Sequence, residues 1–475
     1  MNKFTRVLTL LSIWYGLAGA ALAGPLPENI DALKPQVDAL VKPLIQGGWC
    51  PGMAVGIFYK GRVAVWGYGS TALKNGKTPD GDTEFEIGSI TKLFTKLLVS
   101  DMVHKGEMGL DDKAQSYMPP DVKLPSKDGR EITLQMLSAH TSGLPRDPDD
   151  MENSDKDPQG HYTEEKLHRY LSRCRLDFVP GTRFQYSNTG VALLGYLISL
   201  KSGLAYEEYL RKLVFDPLGM ADTGITWTDA QNSRASEGHN GDGEIMPLWK
   251  WKDPILAGCG AIHSTINDLI KMGKQVLDKE SSPLSGIAFG ETAQKLDWGP
   301  QVAHGGGTYG FSSLFYLDRD NKTILVVWGN TSNQCPLNTG MEIQKMLKGE
   351  DFHPVKLPVL TEVPKSQLKK YEGDYRVQEV PENITVKIGQ IIHFKLAGDR
   401  LMTINDDKDA TPTSLYPMTE GGFYVKNGGY QLAFNVDSRG RVKGVSAVTL
   451  INFKAVKVGY EGPADDPSGE IPPPP

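Results

Sequence analysis

The chain has 475 residues, 39% of them hydrophobic and 23% charged. That balance supports a packed core and excludes global disorder, and the length allows two or three domains at roughly 100–200 residues each. The formal net charge of −6 leaves no basic footprint for nucleic acid or for an anionic membrane surface.

Lys3 and Arg6 precede an uncharged, mostly apolar or small stretch over 7–22, and Ala21-Leu22-Ala23 offers a small-x-small cleavage site before Gly24-Pro25. This pattern predicts a signal peptide over 1–23. A retained membrane anchor is the competing reading, but the stretch is short against the roughly 20 residues a spanning helix needs. Loss of the two cations would change the net charge from −6 to −8. No later stretch is long and apolar enough to span. The mature protein is expected to be secreted or periplasmic, with no transmembrane segment after processing.

Residues 54–59 and 63–68 are two partly alternating apolar runs joined by Lys60-Gly61-Arg62, a β-hairpin signal. Over 90–104, Leu93, Phe94, Leu97, Leu98 and Met102 recur at helical spacing, and Gly106 supplies a stop. The pattern stays mostly helical to about residue 290, broken by loops, among them the Asp-rich stretch 146–159. Strands return from Gln301, with runs at 308–317 and 323–328 about the turn-rich 318–322. Strands at both ends with helices between predict one sheet assembled from both ends of a domain.

Residues 353–364 hold three prolines and predict a linker. Beyond it, short runs at 384–388, 391–396, 423–425, 432–436 and 442–448 alternate with Gly, Asn and Asp. They predict a small all-β sandwich or barrel. The last stretch, 462–475, is rich in Pro, Asp and Gly and predicts a disordered tail.

Cys50, Cys174, Cys259 and Cys335 allow three complete pairings and are too few for a disulfide scaffold. Cys259, among the small residues of 257–261, is expected to be buried rather than reactive. There is no Cys-x-x-Cys and no cluster of histidines at metal-ligand spacing, so no metal is expected. The sequons at Asn321, Asn330 and Asn383 carry meaning only in a eukaryotic host.

Three motifs carry chemistry. Ser89-Ile90-Thr91-Lys92 opens the predicted helix at 90–104. A lysine three residues after a serine lies on the same helix face, and the helix N-terminus favours a developing anion. Ser-x-x-Lys also occurs by chance, and Ser366-Gln367-Leu368-Lys369 after the proline-rich stretch is such a copy. Tyr186-Ser187-Asn188 lies on a loop leading into the helical run 191–200. A tyrosine near a lysine can exchange a proton with serine, and Asn188 can orient the lysine or a substrate amide. On its own it reads better as a loop tyrosine with a local Asn turn. His304-Gly305-Gly306-Gly307 is a glycine strand that lets a ligand approach closely. The Gly307 and Ser89 N–H groups can form an oxyanion site.

In their order, these motifs resemble the serine β-lactamase and penicillin-binding protein superfamily in its class C-like branch. That branch includes class C β-lactamases, D-alanyl-D-alanine carboxypeptidases and endopeptidases, D-amino-acid peptidases and family VIII esterases. The resemblance covers roughly 30–350 and extends to His140-Thr141-Ser142-Gly143-Leu144-Pro145, Asp216-Pro217-Leu218-Gly219-Met220 and Gly260-Ala261-Ile262-His263-Ser264-Thr265. It implies an α+β fold, an antiparallel sheet flanked by helices with a helical subdomain, followed by a small all-β barrel. The segments would be a signal peptide at 1–23, a catalytic domain at 24–352, a linker at 353–364, a lipocalin-like β domain at 365–461 and the tail.

By position, the resemblance implies Ser89 as acylated nucleophile, Lys92 as its activator and Tyr186 as proton shuttle. Asn188, His304, Gly306 and Gly307 would contact substrate. His304 stands where the family usually has lysine, and Gly305 replaces threonine, which weakens the usual grip on a substrate carboxylate. The implied activity is hydrolysis of a small peptide, ester or β-lactam without a cofactor, with D-alanyl peptides ahead of esters. A protein that binds peptidoglycan or a β-lactam without turnover is the alternative from another class. The resemblance also implies a Cys50–Cys335 disulfide.

Overall fold

A computed structural model describes residues 29–151, 161–251, 254–380, 388–405, 412–426, 428–448 and 453–460. The signal-peptide segment, the tail, the Asn383 sequon and most of the 384–388 run lie outside the described residues. No helix among the described residues is long and apolar enough to cross a membrane.

The first part opens with helix α1 (Lys34–Gln46) and the hairpin β1 (Gly52–Tyr59) and β2 (Arg62–Gly69). Lys60 and Gly61 both take positive φ, 48° and 81°, as a two-residue turn between right-twisted strands requires. There follow β3 (Phe85–Glu86), α2 (Thr91–His104), α3 (Glu164–Arg173), α4 (Asn188–Ser202), β4 (Gly238–His239), β5 (Ile245–Met246), β6 (His263–Ser264) and α5 (Ile266–Leu277). The chain then returns through β7 (Gln301–Gly307), β8 (Ser312–Asp318), β9 (Thr323–Gly329) and α6 (Cys335–Leu347).

The main sheet has the order β2-β1-β9-β8-β7, antiparallel throughout, so strands from both ends of this part share one sheet. The run expected over 308–317 is divided: β7 ends at Gly307, and 308–311 is a turn closed by Thr308 N donating to Phe311 O at 3.0 Å. Each face of the sheet has its own core. On β9, Ile324, Val326 and Trp328 join the core that holds α2, α4 and α5, while Leu325 and Val327 join the core under α1 and α6. Burial on both faces explains why these strands read as continuous apolar runs.

Eight further strands close into a barrel: β10 (Gly373–Glu379), β11 (Ile391–Ala397), β12 (Arg400–Asn405), β13 (Thr413–Pro417), β14 (Phe423–Val425), β15 (Tyr430–Val436), β16 (Val442–Ala447) and β17 (Lys454–Lys457). Closure leaves no sheet edge. Inside, Phe434 meets Tyr371, Tyr375, Phe394 and Phe423 at centroid distances of 4.6–5.7 Å, with most pairs edge-on as aromatic quadrupoles prefer.

The four cysteines are free, so the expected Cys50–Cys335 disulfide is not formed. Cys50 and Cys335 are both buried in the core beneath α1 and α6. The Cys50 thiol donates to Gly52 O at 2.9 Å. Burial pushes both thiols up, Cys335 to about 12, which suppresses the thiolate that disulfide exchange needs.

A Cβ added at Gly56 of β1 would lie 2.2 Å from Ile266 Cγ2, because α5 packs directly on the strand. Gly56→Ala is expected to destabilise the sheet by about 1–3 kcal/mol through overpacking, read as a lower denaturant midpoint.

Candidate active site

From residue 83 to 102 every side chain is buried except that of Ser89, which is partly exposed. Ser89 lies in the 3-10 turn Gly88–Ile90 that leads into α2. Lys92, one turn on, is fully buried. Its ammonium donates to Ser89 Oγ at 2.9 Å, Asn188 Oδ1 at 2.9 Å and Cys259 O at 2.6 Å. Three donors thus meet three oxygen acceptors, the condition for holding a charge away from water.

Two other segments bring those acceptors. Asn188 begins α4, where Ser187 caps the helix by accepting from Gly190 N at 2.9 Å. Cys259 ends the 3-10 segment Pro254–Cys259, which packs on α4 at a glycine–glycine contact: a Cβ at Gly195 would lie 3.0 Å from Gly258 Cα. Asn188 Nδ2 donates to Asp147 Oδ1 at 2.8 Å, which turns the amide oxygen toward Lys92.

The Tyr186 hydroxyl is hydrogen-bonded to Ser89 Oγ at 2.9 Å. Its ring stacks on His140, centroids 4.4 Å apart and 23° between planes. His140 Nδ1 accepts from Ser187 N at 3.1 Å, so this nitrogen carries no proton. Burial, with Lys92 and Lys96 nearby, drives the His140 pKa down to about 2. Two cations face the same tyrosine ring: Lys92 Nζ is 5.0 Å and the Arg146 guanidinium 5.3 Å from its centroid.

The glycine strand lies against the serine turn. A Cβ at Gly88 would sit 2.7 Å from Gly307 N, and one at Gly306 would sit 2.1 Å from Ile87 O. Gly88 also takes φ +50°. Only glycines permit this approach. Gly307 differs, since a Cβ there would meet nothing within 4 Å. β7 is the edge strand of the sheet. Glu86 fixes the arrangement by accepting from Thr308 Oγ1 at 2.6 Å and from Trp249 N at 2.5 Å.

His304 is partly exposed and donates from Nδ1 to Gly305 O at 2.8 Å. Its close packing, with Lys92 and Lys96 nearby, lowers its pKa to about 3. At neutral pH it presents an uncharged imidazole where the sequence suggested a partly protonated one. The buried Lys96 is itself paired with Asp297.

The structure therefore brings Ser89, Lys92, Tyr186 and Asn188 into one hydrogen-bonded cluster and sets Gly306 and Gly307 against the serine turn. The other Ser-x-x-Lys copy is a contrast: Ser366 and Lys369 are both exposed. Sequence reasoning missed His140, Asp147, Glu86 and the Cys259 carbonyl as members of the site. His140 lay in a segment that carried the resemblance but was given no role, and Glu86 sits between the apolar Phe85 and Ile87. Asp147 was hidden in a polar stretch that reads as a solvated loop.

The Beta-lactamase family model matches residues 37–339, well over half of the chain. The chain belongs to the Beta-lactamase family. It is 33% identical to a Beta-lactamase of Escherichia coli (strain K12) over 248 residues, 52% of this chain and 60% of that one. To the D-alanyl-D-alanine-carboxypeptidase/endopeptidase AmpH of the same organism it is 29% identical over 252 residues, 51% and 62% of the two chains. The chain thus spans about three fifths of the length of the curated relatives it matches.

Among solved structures, a Beta-lactamase/D-alanine Carboxypeptidase from Yersinia pestis shares the fold with a TM-score of 0.56 at 22% identity. The match covers 68% of this chain and 99% of that one. A class C beta-lactamase gives 0.57 at 22% identity over 67% and 99%.

His140 and His304 have an ordinary value of 6.5 that falls on folding to about 2 and about 3. As pH drops below 6.5 the unfolded chain takes up protons first, so stability falls progressively toward pH 3. His140→Asn is expected to flatten the dependence of the urea midpoint on pH between about 6.5 and 4, because one of the two depressed groups is gone.

Proposed function

We propose that the protein is an exported hydrolase working through an acyl-Ser89 intermediate on D-alanyl peptides, of D,D-carboxypeptidase, endopeptidase or D-aminopeptidase type. The observation that carries this reading is the double approach to Ser89 Oγ, with Lys92 Nζ and the Tyr186 hydroxyl each at 2.9 Å. The basic and apolar pattern of 1–23 supports export to the periplasm or beyond. The relatives named for carboxypeptidase and endopeptidase activity support a small peptide substrate or peptidoglycan material.

Ser89 Oγ attacks the scissile carbonyl carbon while its proton passes to the Tyr186 oxygen, whose own hydroxyl proton is handed on toward the leaving amine, with the Lys92 ammonium beside the pair. The carbonyl oxygen becomes an oxyanion between the N–H groups of Ser89 and Gly307. Collapse breaks the bond to the leaving amine, which takes the proton from Tyr186. Water then attacks the acyl-Ser89 carbonyl, gives a proton to Tyr186, and Ser89 leaves with that proton. Asn188 orients Lys92, and His304 and Gly306 line the substrate strand. No metal or organic cofactor takes part.

A second reading, carboxylesterase or weak β-lactamase, is favoured by the neutral His304 and the missing hydroxyl at Gly305. In either case residues 24–352 form the catalytic domain, 353–364 the linker and 365–461 the lipocalin-like domain.

Ser89→Ala is expected to abolish covalent labelling by a fluorescent penicillin or fluorophosphonate and to lower turnover at least about a thousandfold. Tyr186→Phe should lower it about 10²–10⁴-fold. A substrate panel of D-Ala-D-Ala peptides, D-amino-acid amides, p-nitrophenyl esters and nitrocefin separates the readings, with peptides expected first. Labelling that persists in the alanine variant removes Ser89 from the role. Acylation that never clears identifies a binding protein instead of an enzyme.

A further inference from the structure

β7 carries no lysine or arginine, but a cation lies beside Tyr186. His304 keeps its Nδ1 proton on Gly305 O, and its close packing lowers its pKa, so it is a poorer partner for a carboxylate than a lysine would be. Among the described residues, the cations near Tyr186 or His304 are Lys92, Lys96 and Arg146. Lys92 has all three donors engaged, and Lys96 is buried against Asp297.

Arg146 is different. Its side chain is 51% exposed, and its guanidinium lies over the Tyr186 ring. Asp147 holds it from the Nε side at 3.4 Å. Among the described residues, its terminal nitrogens have no hydrogen-bond partner. Its backbone is anchored at the start of α4: Arg146 O accepts from Asn188 N at 2.7 Å and from Thr189 N at 3.1 Å. Ser187 Oγ also donates to Pro145 O at 2.7 Å. A planar guanidinium held from one edge presents its other edge as a two-pronged donor, the geometry that matches a carboxylate.

We propose that Arg146 is the specificity-determining residue that reads a carboxylate on the substrate, replacing a cation on β7. The assignment rests on the acyl-Ser89 reading above and narrows it: the preferred peptide bears a free carboxylate near the scissile bond. Lysine would keep the charge at 146 but lose the fork.

The experiment compares kcat/KM for a D-Ala-D-Ala peptide with a free C-terminal carboxylate against the same peptide as its C-terminal amide. Wild-type protein, R146K and R146Q are each measured at low and high KCl. Wild-type protein is expected to favour the acid. In R146Q the acid-to-amide ratio should fall about 10–100-fold, the scale of a hydrogen-bonded charge pair, and R146K should keep part of it. Added salt should narrow the ratio in wild-type protein more than in R146Q. A wild-type preference for the amide overturns the proposal, as does a ratio unchanged in R146Q. Fluorophosphonate labelling of wild-type protein that maps away from Ser89 strikes the acylation reading instead.

Discussion

The buried ammonium of Lys92 constrains more of the molecule than any other group. An isolated charge of this kind would be prohibitively costly away from water, so each donor must find an oxygen. Those oxygens come from three places in the chain: the turn at Ser89, the start of α4 at Asn188 and the end of the 254–259 segment at Cys259. Satisfying one cation therefore fixes three elements against one another. The close contact of Gly195 with Gly258 is the packing that permits it. Burial lowers the pKa of His140 and of His304, and the same cation, with Lys96, lowers both further. His140 is thereby left as an acceptor for Ser187 N, which holds the Tyr186 loop in place.

A second constraint acts between the serine turn and the edge strand. Ile87 and Gly88 touch Gly306 and Gly307 backbone to backbone, and Glu86 bridges to Thr308. The serine turn and β7 can lie this close because no side chain separates the two segments. Gly307 itself faces open space, so its lack of a side chain serves whatever lies along β7 rather than the packing of the fold.

How far the sequence revealed this varies with the physics of each element. The hairpin and α2 were legible because a turn and a helical period are local signals. Strands β8 and β9 were legible as apolar runs, yet the β7–β8 turn was absorbed into a strand because Thr308-Tyr309-Gly310-Phe311 mixes apolar and turn residues. In the barrel, β11, β14, β15 and β16 stood out, while β10, β12, β13 and β17 were passed over. Arg400–Asn405, with the sequence Arg-Leu-Met-Thr-Ile-Asn, has neither strict alternation nor a sustained apolar run, so it gives no strand signal. At the site, Ser89, Lys92 and Tyr186 were legible only as a set. His140 and Asp147 act through geometry, a stacked ring and a redirected amide, which spacing does not encode.

The barrel meets the rest of the chain at one end of the main sheet. Trp49, just before β1, packs edge-on against Tyr424 and lies 5.2 Å from the Lys426 ammonium. Tyr416 donates to Asp242 at 2.6 Å, within the β4–β5 hairpin. That hairpin presses Gly238 onto Gly310 and bonds His239 N to Gly310 O at 3.2 Å. Gly310 belongs to the turn that follows Gly307, and Gly307, Ser312 and Gly329 are paired in register across this same sheet end. A chain of contacts thus runs from the barrel through the hairpin to the turn that follows Gly307. Lys426, set between Trp49 and Tyr416 and lowered in pKa by burial, makes this junction a packed, partly desolvated contact rather than a loose tether. A shift of the barrel would therefore be felt first at the β7–β8 turn, next to the strand end that packs on the Ser89 turn.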